Sequence, residues 1–433
     1  MDRPRILVSS IPVWNNESGS DTFSNLLSGY DPNKVANIYF KSGIPCSPVC
    51  LRYFHISENS VIKSIIKRTA ITGREVDAMV VPDEMNAEQE IERKRYSFFS
   101  KYRLWLFLLG RELLWKIGKW TSKEVDEFIE DFKPEVLFYP IEGYLYFNRF
   151  TEYLIKKTKA TTVGIIWDDN FTYKLHPYSL GFRIHRFLLR KQVKRIINAS
   201  NKLYVINEKM QKELHAEFGY NSDILTKGAE IHAQIEKPSD QGKELTIVYT
   251  GKLNLGRLDT VAMLAEVLET QNEKNDLQFR LDIYSGTVLG ESEKRKLERK
   301  GTHFMGSVPQ SEIPRIHKGA DILLMAEAIN GKHKYDARLS FSTKIVDYLA
   351  AGKCILAIGP LDIAPIEYLK KEDAAIVASG RDDLSKLFGG YITNKLIYEY
   401  SRKALDTALK NHDIRTIQAR LYTSFCELQK HQG

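Results

Sequence analysis

Short apolar runs alternate with helical patterns along most of the chain, and this alternation limits the possible folds more than any other feature. The runs at residues 5–11 and 245–249 are mainly apolar, as in strands that are buried on both faces of a parallel sheet. The alternation restarts after a polar stretch at 237–243, which we interpret as a linker. A length of 433 residues also exceeds what one compact core usually supports. The sequence therefore predicts an α/β protein with two domains built from βα units.

The domain boundaries follow from this linker and from the helices that end the chain. The N-terminal domain is expected at residues 1–238 and the C-terminal domain at 239–412. Residues 413–433 are expected to form a helix. At about 1.5 Å per residue, this helix is long enough to cross back to the N-terminal domain.

The net charge of +8 and the pI near 9.0 favour an anionic partner. A nucleotide, a phospholipid surface and a nucleic acid are all compatible with the charge. Nucleic acid is the weakest of the three, because the basic residues of the helical stretch 183–195 are not interleaved with exposed stacking aromatics. The basic side of that stretch either faces solvent or contacts anionic lipid headgroups.

No apolar run reaches about 18 residues and the N-terminus has no leader pattern, so we expect a cytoplasmic protein without a membrane span. The most apolar helical stretch, 102–120, contains three tryptophans and flanking basic residues. It predicts either a helix at a membrane interface or a buried helix of the domain. Cys46 and Cys50 are the one close cysteine pair, and alone they give no zinc-site pattern.

The stretch that precedes a predicted strand at 354–358 contains a lysine in an unfavourable place. The pattern predicts a hydroxyl-rich loop and a helix that begins near Ser342 or Thr343. Lys344 then falls in the first turn, where the helix dipole disfavours a cation by roughly 0.3–1 kcal/mol. A bound anion would explain this, since free backbone N–H groups and a lysine together form a phosphate site. Asp347, one turn on, could bind a sugar hydroxyl. The alternative is that Lys344 and Asp347 form an exposed pair of little consequence.

A second loop has the features of an anion site. Two glycines and two cations follow the strand at 245–249 and precede a helix: Gly251, Lys252, Gly256 and Arg257. Glycines let the backbone approach a diphosphate closely, and the cations compensate its charge. The spacing matches neither a Walker A motif nor a dinucleotide-binding fingerprint.

Two acids follow another predicted strand, at 162–167. Asp168 and Asp169 stand at its carboxyl end, where α/β folds hold their chemistry, so one of them is a candidate general base or hydroxyl ligand. The alternative is that they cap the next turn. The loop after the first strand, which includes Asn16 and Gly19, either faces an acceptor or is a plain turn.

As a set, three motifs resemble the consecutive donor-site motifs of the GT4-type (group 1) glycosyltransferases, which have the GT-B fold. They are Tyr249-Thr250-Gly251-Lys252 with Gly256-Arg257, the turn Phe304-Met305-Gly306-Ser307-Val308-Pro309, and the helix from Lys344 to Lys353. The resemblance covers most of residues 245–380, whereas the N-terminal half is similar only in layout. It implies two Rossmann-like domains that face a central cleft, with the acceptor bound by the first domain and the nucleotide sugar by the second.

The resemblance also implies roles for single residues. Lys252 and Arg257 would hold the donor diphosphate, and Asp347 would bind the donor ribose. The expected donor site consists of Gly251, Lys252, Arg257, Ser285, Gly286, Phe304, Gly306, Val308, Ser342, Thr343, Lys344 and Asp347. Three positions depart from the family pattern: Leu339 stands where the first acid of E-x7-E belongs, Lys252 replaces an arginine, and the Asp168-Asp169 pair replaces a histidine.

We therefore expect transfer of a hexosyl unit from a UDP- or GDP-sugar to a hydroxyl of a saccharide or lipid-linked acceptor, as in bacterial surface polysaccharide synthesis. The cations would stabilise the leaving diphosphate without a metal or other cofactor. No nucleic-acid partner is expected, and contact with anionic lipid would place the protein at the inner face of the cell membrane. Two alternatives are a non-hydrolysing sugar-nucleotide 2-epimerase, which shares the architecture, and a non-catalytic partner subunit that binds nucleotide sugar, which Leu339 favours.

Overall fold

The computed structural model describes residues 3–10, 22–41, 43, 45, 48–77, 105–175, 180–235, 244–331 and 333–430. The chain forms two compact units. Unit 1 comprises the residues up to 173, residues 178–226 and residues 417–433. Unit 2 comprises the short stretch 174–177 and residues 227–416.

Unit 1 is built on one sheet. Its strands are β1 (Ile6–Ser10), β2 (Val35–Tyr39), β3 (Arg52–His55), β4 (Arg74–Asp77), β5 (Val136–Pro140), β6 (Thr161–Ile166), β7 (Lys202–Val205) and β8 (Asp223–Ile224). They lie in the order β4-β3-β2-β1-β5-β6-β7-β8, and all neighbours are parallel except β3 and β4. Successive strands are added in one direction up to β4 and in the other from β5, so the topological switch point lies between β1 and β5.

The helices of this part of the chain are α1 (Thr22–Leu27), α2 (Glu58–Ile66), α3 (Trp105–Ile117), α4 (Lys123–Phe132), α5 (Leu145–Lys157), α6 (Leu180–Asn198) and α7 (Glu208–Phe218). Local signals set their ends. In α7, the Asn207 side chain accepts a hydrogen bond from the Met210 N–H, and Gly219 ends the helix with a φ of 69°. Strands β2, β5 and β6 are buried at every position, as their apolar runs predict.

Unit 2 is built on a second sheet, in which every pair of neighbours is parallel. Its strands are β9 (Glu244–Thr250), β10 (Gln278–Tyr284), β11 (Thr302–Gly306), β12 (Ile322–Ala326), β13 (Cys354–Ile358) and β14 (Ile376–Ala378). They lie in the order β11-β10-β9-β12-β13-β14. The switch point of this sheet therefore lies between β9 and β12.

The helices of the second half are α8 (Arg257–Asn272), α9 (Glu291–Leu297), α10 (Ile313–Lys318), α11 (Thr343–Ala350), α12 (Ala364–Lys371), α13 (Arg381–Lys386), α14 (Asn394–Asn411) and α15 (Ile414–Lys430). They bury both faces of the sheet. Alternate strand residues such as Leu324 and Leu356 pack in the core formed with α8. Their neighbours Leu323 and Ile355 pack in the core formed with α11 and α14.

The last helix, α15, leaves unit 2 and packs on unit 1, as predicted for the end of the chain. Phe425 is fully buried and meets the Phe138 ring of β5 at a centroid distance of 5.5 Å. The Tyr422 hydroxyl donates a hydrogen bond to the backbone oxygen of Leu26 at 2.8 Å. The core of unit 1 is therefore assembled from both ends of the chain.

Several predicted segments fall partly or wholly outside the described residues. They include the loop with Asn16 and Gly19, the linker at 237–243 and the start of the apolar stretch 102–120. Most of that stretch forms α3, in which Trp115 is buried while Leu113 and Ile117 are exposed, so the helix is half-buried. Among the helices that the structure describes, none combines the length and the apolar character needed to span a bilayer.

Candidate functional site

Two loops meet at the switch point of unit 2, at the carboxyl ends of β9 and β12. Gly251 follows β9 and Glu327 follows β12. Open α/β sheets bind their ligands in the crevice at this position. The loop after β9 turns through Leu255 and Gly256, both with positive φ, and enters α8 at Arg257.

Arg257, the first residue of α8, is oriented by a buried carboxylate. Its Nε and Nη2 atoms donate to Oε2 and Oε1 of Glu327 at 3.0 and 3.1 Å, which makes a bidentate pair. Glu327 is 5% exposed, and its backbone oxygen accepts a hydrogen bond from the Thr260 hydroxyl at 2.8 Å. Burial raises the pKa of Glu327, and the charge of Arg257 opposes this rise. The pair fixes the guanidinium group beside the switch point.

Lys344 reaches the same place from the first turn of α11. Its Nζ lies 4.9 Å from the centre of the Tyr249 ring. A Cβ atom on Gly251 would lie 1.8 Å from this Nζ. The lysine therefore fits here because residue 251 has no side chain. Burial lowers the pKa of Lys344 to about 8, and the charges of Arg257 and Lys252 contribute to that lowering.

The cations at the switch point are only partly balanced by the carboxylates that the structure describes. Arg257 pairs with Glu327, but no described carboxylate lies within ion-pair distance of Lys344 or Lys252. Lys252 is exposed, and its backbone oxygen accepts a hydrogen bond from the Tyr249 hydroxyl at 2.7 Å. Because neighbouring cations repel one another, this arrangement favours the binding of an anion.

A buried polar network supports the end of β9 beneath these cations. The Thr250 hydroxyl lies 3.0 Å from His317 Nε2 and 3.0 Å from the Tyr348 hydroxyl. Burial lowers the pKa of His317 to about 4, and Lys344 lowers it further, so the imidazole is neutral near pH 7. The network joins β9 to α10 and α11, and in this way it positions the first turn of α11.

The remaining predicted donor residues lie at the carboxyl ends of β10 and β11 and at the start of α11. The Ser285 N–H donates to the Gly306 oxygen at 2.8 Å, and the Ser285 hydroxyl lies 3.1 Å from Thr287 Oγ1. Phe304 of β11 is 42% exposed. The turns after these strands and the start of α11 contain the others: Gly286, Val308, Ser342 and Thr343.

Asp347 pairs with a cation from a distant part of the chain. Lys227 Nζ lies 2.9 Å from Asp347 Oδ1, and the lysine side chain is largely buried. An exposed pair between Lys344 and Asp347 therefore does not describe this helix. Lys344 is directed toward Tyr249, whereas Asp347 contacts the start of unit 2.

In unit 1, the two predicted catalytic acids differ in their surroundings. Asp169 is buried, and its carboxylate accepts hydrogen bonds from the N–H and the hydroxyl of Thr172 at 2.9 and 2.5 Å. Arg186 donates to the Asp169 backbone oxygen at 2.6 Å. Asp169 thus has the contacts of a turn-capping residue, whereas Asp168 is exposed at the end of β6.

A third acid, Glu142, follows the neighbouring strand β5. The Asn148 side chain accepts a hydrogen bond from the Glu142 N–H at 2.9 Å and donates to the Glu142 oxygen at 2.8 Å. Burial raises the pKa of Glu142 to about 7, and the charge of Asp168 contributes to that rise. Because β5 borders the switch point of unit 1, Glu142 lies at an edge of the sheet where ligands bind.

Apart from Asp347 and the remaining donor residues described above, the predicted residues fall into three groups. The cationic residues and their glycine meet at the switch point of unit 2: Gly251, Lys252, Arg257 and Lys344. Asp168 and Asp169 belong to unit 1. Asn16 and Gly19 lie outside the described residues.

Reasoning from the sequence missed Glu327, Glu142 and Lys227. The first two are acids that come one or two residues after a buried strand, which is the signal that identified Asp168. The strand pattern could therefore have found them. Lys227 follows no such signal, because its role depends on a pairing partner 120 residues further along the chain.

No protein-family model matches the chain, and no curated protein matches its sequence. Solved structures match its fold. The HepE protein of Anabaena, solved in complex with UDP and glucose, matches with a TM-score of 0.61 at 10% identity, over 98% of this chain and 100% of that protein. Trehalose 6-phosphate synthase from Burkholderia multivorans matches with a TM-score of 0.60 at 8% identity, over 100% and 98% of the two chains.

A glycosyltransferase from Rickettsia africae matches with a TM-score of 0.56 at 11% identity, over 99% of each chain. The chain spans 57% of the length of TarM, with a TM-score of 0.48 at 11% identity over 69% of this chain. The matches that extend over nearly the whole of both chains confirm the predicted architecture. The protein has the GT-B fold, with two Rossmann-like units and a final helix that returns to the first of them.

Proposed function

We propose that the protein is a glycosyltransferase whose donor is a nucleotide-diphosphate sugar. The observation that carries this proposal is the meeting of Lys252, Arg257 and Lys344 at the switch point of unit 2. Two phosphate groups offer the negative charge that this cluster lacks. The HepE protein has been solved with UDP and glucose, and the Rickettsia protein is a glycosyltransferase. Their shared fold supports the same class of reaction for this chain.

In the proposed reaction, the bond between the anomeric carbon and the diphosphate oxygen breaks, and the acceptor oxygen bonds to the anomeric carbon. Negative charge develops on the leaving diphosphate. Arg257, which Glu327 holds in place, and Lys344 would stabilise that charge as it forms. The acceptor proton passes either to Asp168, which corresponds to inversion, or to the leaving phosphate, which corresponds to retention.

The finer assignments follow the resemblance to the GT4-type enzymes. We propose a hexosyl unit from a UDP- or GDP-sugar, and a saccharide or lipid-linked acceptor in bacterial surface polysaccharide synthesis. Asp347 would bind the donor ribose and Phe304 would lie along the base. The reaction is proposed to need no metal, so transfer should continue unchanged when EDTA is added. The proposed location is the inner face of the cell membrane.

Calorimetry with UDP and GDP tests the donor site directly. One of the two nucleotides should bind the wild-type protein, and Arg257→Ala and Lys344→Ala should each weaken that binding by about tenfold or more, because each removes a charged hydrogen-bond donor. Arg280→Ala, on β10, is the matched control, since this arginine pairs with Glu244 and Asp282. Unchanged nucleotide binding by both Arg257→Ala and Lys344→Ala would rule out the diphosphate assignment.

A non-catalytic subunit that binds nucleotide sugar is the second candidate. Leu339, where the family pattern has an acid, is buried and apolar, and this observation favours the alternative. Incubation with radiolabelled nucleotide sugars distinguishes the candidate functions. Transfer or hydrolysis of the sugar supports the glycosyltransferase, and conversion of the donor without an acceptor indicates an epimerase. Tight UDP binding without turnover of any common donor, unaffected by Asp168→Ala, would support the non-catalytic subunit.

A further inference from the structure

The exposed residues of α6 form one continuous stripe along the helix. They are Leu180, Arg183, Ile184, Phe187, Leu188, Lys191, Lys194, Arg195 and, at the end of the helix, Asn198. Their spacing of three and four residues places them on one side of the helix. The first half of the stripe is mainly apolar and the second half is basic. The buried side of α6, which includes Leu189 and Val193, packs on unit 1.

The apolar half of the stripe exposes large side chains that the fold leaves uncovered. Leu180 is 76% exposed, and Ile184 and Phe187 are 53% and 50% exposed. Lys191 Nζ lies 4.4 Å from the centre of the Phe187 ring, so the basic half begins directly beside the apolar half.

The basic half of the stripe has little anionic compensation. Residues 180–198 contain no aspartate or glutamate. Arg195 pairs with Glu152, but among the described residues no carboxylate lies within ion-pair distance of Lys191 or Lys194. The positive charge of this surface therefore favours binding to an anionic partner.

Helix α3 contacts α6 and also carries exposed apolar side chains. His185 Nε2 of α6 lies 3.6 Å from Glu112 Oε1 of α3, so the two helices are in contact there. The exposed row of α3 repeats every four residues: Leu109, Leu113 and Ile117. Lys116 is exposed in the same part of α3.

We propose that the stripe of α6 and the exposed row of α3 together bind an anionic lipid bilayer. Helices with an apolar face and a basic flank lie in the interfacial plane, with the apolar side chains among the acyl chains and the cations at the headgroups. A second copy of the chain would fit this surface less well than a bilayer. A two-fold interface would place this patch against itself, and the patch offers no carboxylate to its own lysines.

Binding to a bilayer would bring the protein to the lipid-linked acceptor of the proposed function, and its biological role rests on that proposed function. Lipid binding itself requires no turnover and none of the residues assigned to the donor site. The two claims can therefore fail separately. Loss of UDP binding in Arg257→Ala tests the donor site, whereas lipid binding tests the α6 surface.

Co-sedimentation of the full chain with vesicles tests the proposal. The protein should sediment with vesicles of phosphatidylcholine and phosphatidylglycerol but not with phosphatidylcholine alone, and high salt should release it. Lys191→Glu with Lys194→Glu should weaken binding by at least about fivefold for each lysine. Ile184→Ser with Phe187→Ser should weaken it by a similar or larger factor, because the buried apolar area is lost.

Two matched controls change exposed residues outside α3 and α6. Lys212→Glu changes an exposed lysine on α7, and Val288→Ser changes a residue of unit 2 that is 95% exposed. Both controls should sediment as the wild type does, and all variants should keep the thermal shift produced by UDP, which shows that they are folded.

Three outcomes would overturn the proposal. The first is that the wild type does not sediment with anionic vesicles. The second is that the α6 variants sediment as strongly as the controls. The third is that analytical ultracentrifugation without lipid finds a dimer that the α6 variants dissociate, which would assign the surface to a second copy of the chain.

Discussion

Lys344 is a desolvated cation among other cations, and its pKa of about 8 reflects this position. A bound diphosphate would favour the charged form and raise that pKa. UDP affinity should therefore be constant below the pKa of the free protein and fall as the pH rises above it, by up to about tenfold per pH unit. Calorimetry at about pH 7 and about pH 9 measures the change. Lys344→Ala should bind weakly at both values, and the same pH dependence in this variant would assign the titration to another group.

The pKa of Glu142 is shifted upward, whereas that of Lys344 is shifted downward. Burial and the charge of Asp168 raise the pKa of Glu142 from 4.5 to about 7. Between these two values the folded state binds more protons than the unfolded state, so stability falls as the pH rises. Above about pH 7 the ionised carboxylate costs on the order of 3 kcal/mol. Glu142→Gln should therefore raise the free energy of unfolding at about pH 8 but not at about pH 4.

Urea unfolding followed by tryptophan fluorescence measures this effect in unit 1 alone, because every tryptophan of the sequence lies at or before residue 167. Glu427→Gln, at an exposed position of α15, is the matched control and should change the stability little. Equal stability of Glu142→Gln and the wild type at about pH 8 would show that Glu142 is well solvated when ionised.

At the level of elements, the loop between β9 and α8 and the first turn of α11 depend on each other. Gly251 has a φ of 136°, and any side chain there would occupy the place of Lys344 Nζ. Gly251→Ala should displace the lysine and weaken UDP binding about as much as Lys344→Ala does. It should also cost about 1–2 kcal/mol of stability, because of the positive φ.

Gly290→Ala is the control for this substitution. Gly290 precedes α9 with a φ of −72°, and an added Cβ would be 3.7 Å from its nearest neighbour. Calorimetry with UDP should find wild-type affinity for Gly290→Ala. Wild-type affinity for Gly251→Ala as well would mean that the position of Lys344 does not limit nucleotide binding.

The contacts of helix α15 contribute to the stability of unit 1 as a whole. Phe425 and Leu421 are buried in the core of unit 1, together with residues of β1, β5 and α1. Phe425→Ala should lower the free energy of unfolding of unit 1 by about 3–5 kcal/mol, which is the usual cost of removing a buried aromatic ring. Tryptophan fluorescence during urea unfolding reports this loss. Glu427→Ala, two residues away and exposed, should leave the midpoint unchanged.

At the level of the whole molecule, both units contain histidines that are buried in the neutral form. Burial lowers the pKa of His55 in unit 1, and of His317 and His412 in unit 2, to about 4. These histidines bind protons more readily when the chain unfolds, so stability should fall as the pH drops from about 6.5 toward 4. Thermal unfolding at about pH 7 and about pH 5 should show lower midpoints for both units in acid.

His55→Asn should reduce the acid sensitivity of unit 1, as followed by tryptophan fluorescence. His215→Asn is the control, because this histidine is exposed on α7. An unchanged acid response of unit 1 in His55→Asn would assign the response to other groups.

The sequence predicted those parts of the fold that depend on local pattern. The helix that begins at Thr343 and the strand at 354–358 have the predicted start and bounds, because apolar periodicity and capping residues are close in sequence. The lysine at 344 was identifiable as an anomaly for the same reason. Lys227 was not identified, since its partner Asp347 becomes a neighbour only when distant segments pair. The position of Glu327 after a strand was a usable signal, but its pairing with Arg257 depends on the fold in the same way.

The path of the chain has a consequence for how the protein is made. Apart from the short stretch 174–177, unit 2 is one interior segment, whereas unit 1 needs residues 417–433 to complete its core. During translation, unit 2 can fold as soon as its own segment has left the ribosome. Unit 1 begins first but must wait for α15, with Leu26 and Phe138 uncovered until then. We therefore expect the nascent N-terminal half to be the main chaperone substrate, in reverse of the usual N-to-C order of domain folding.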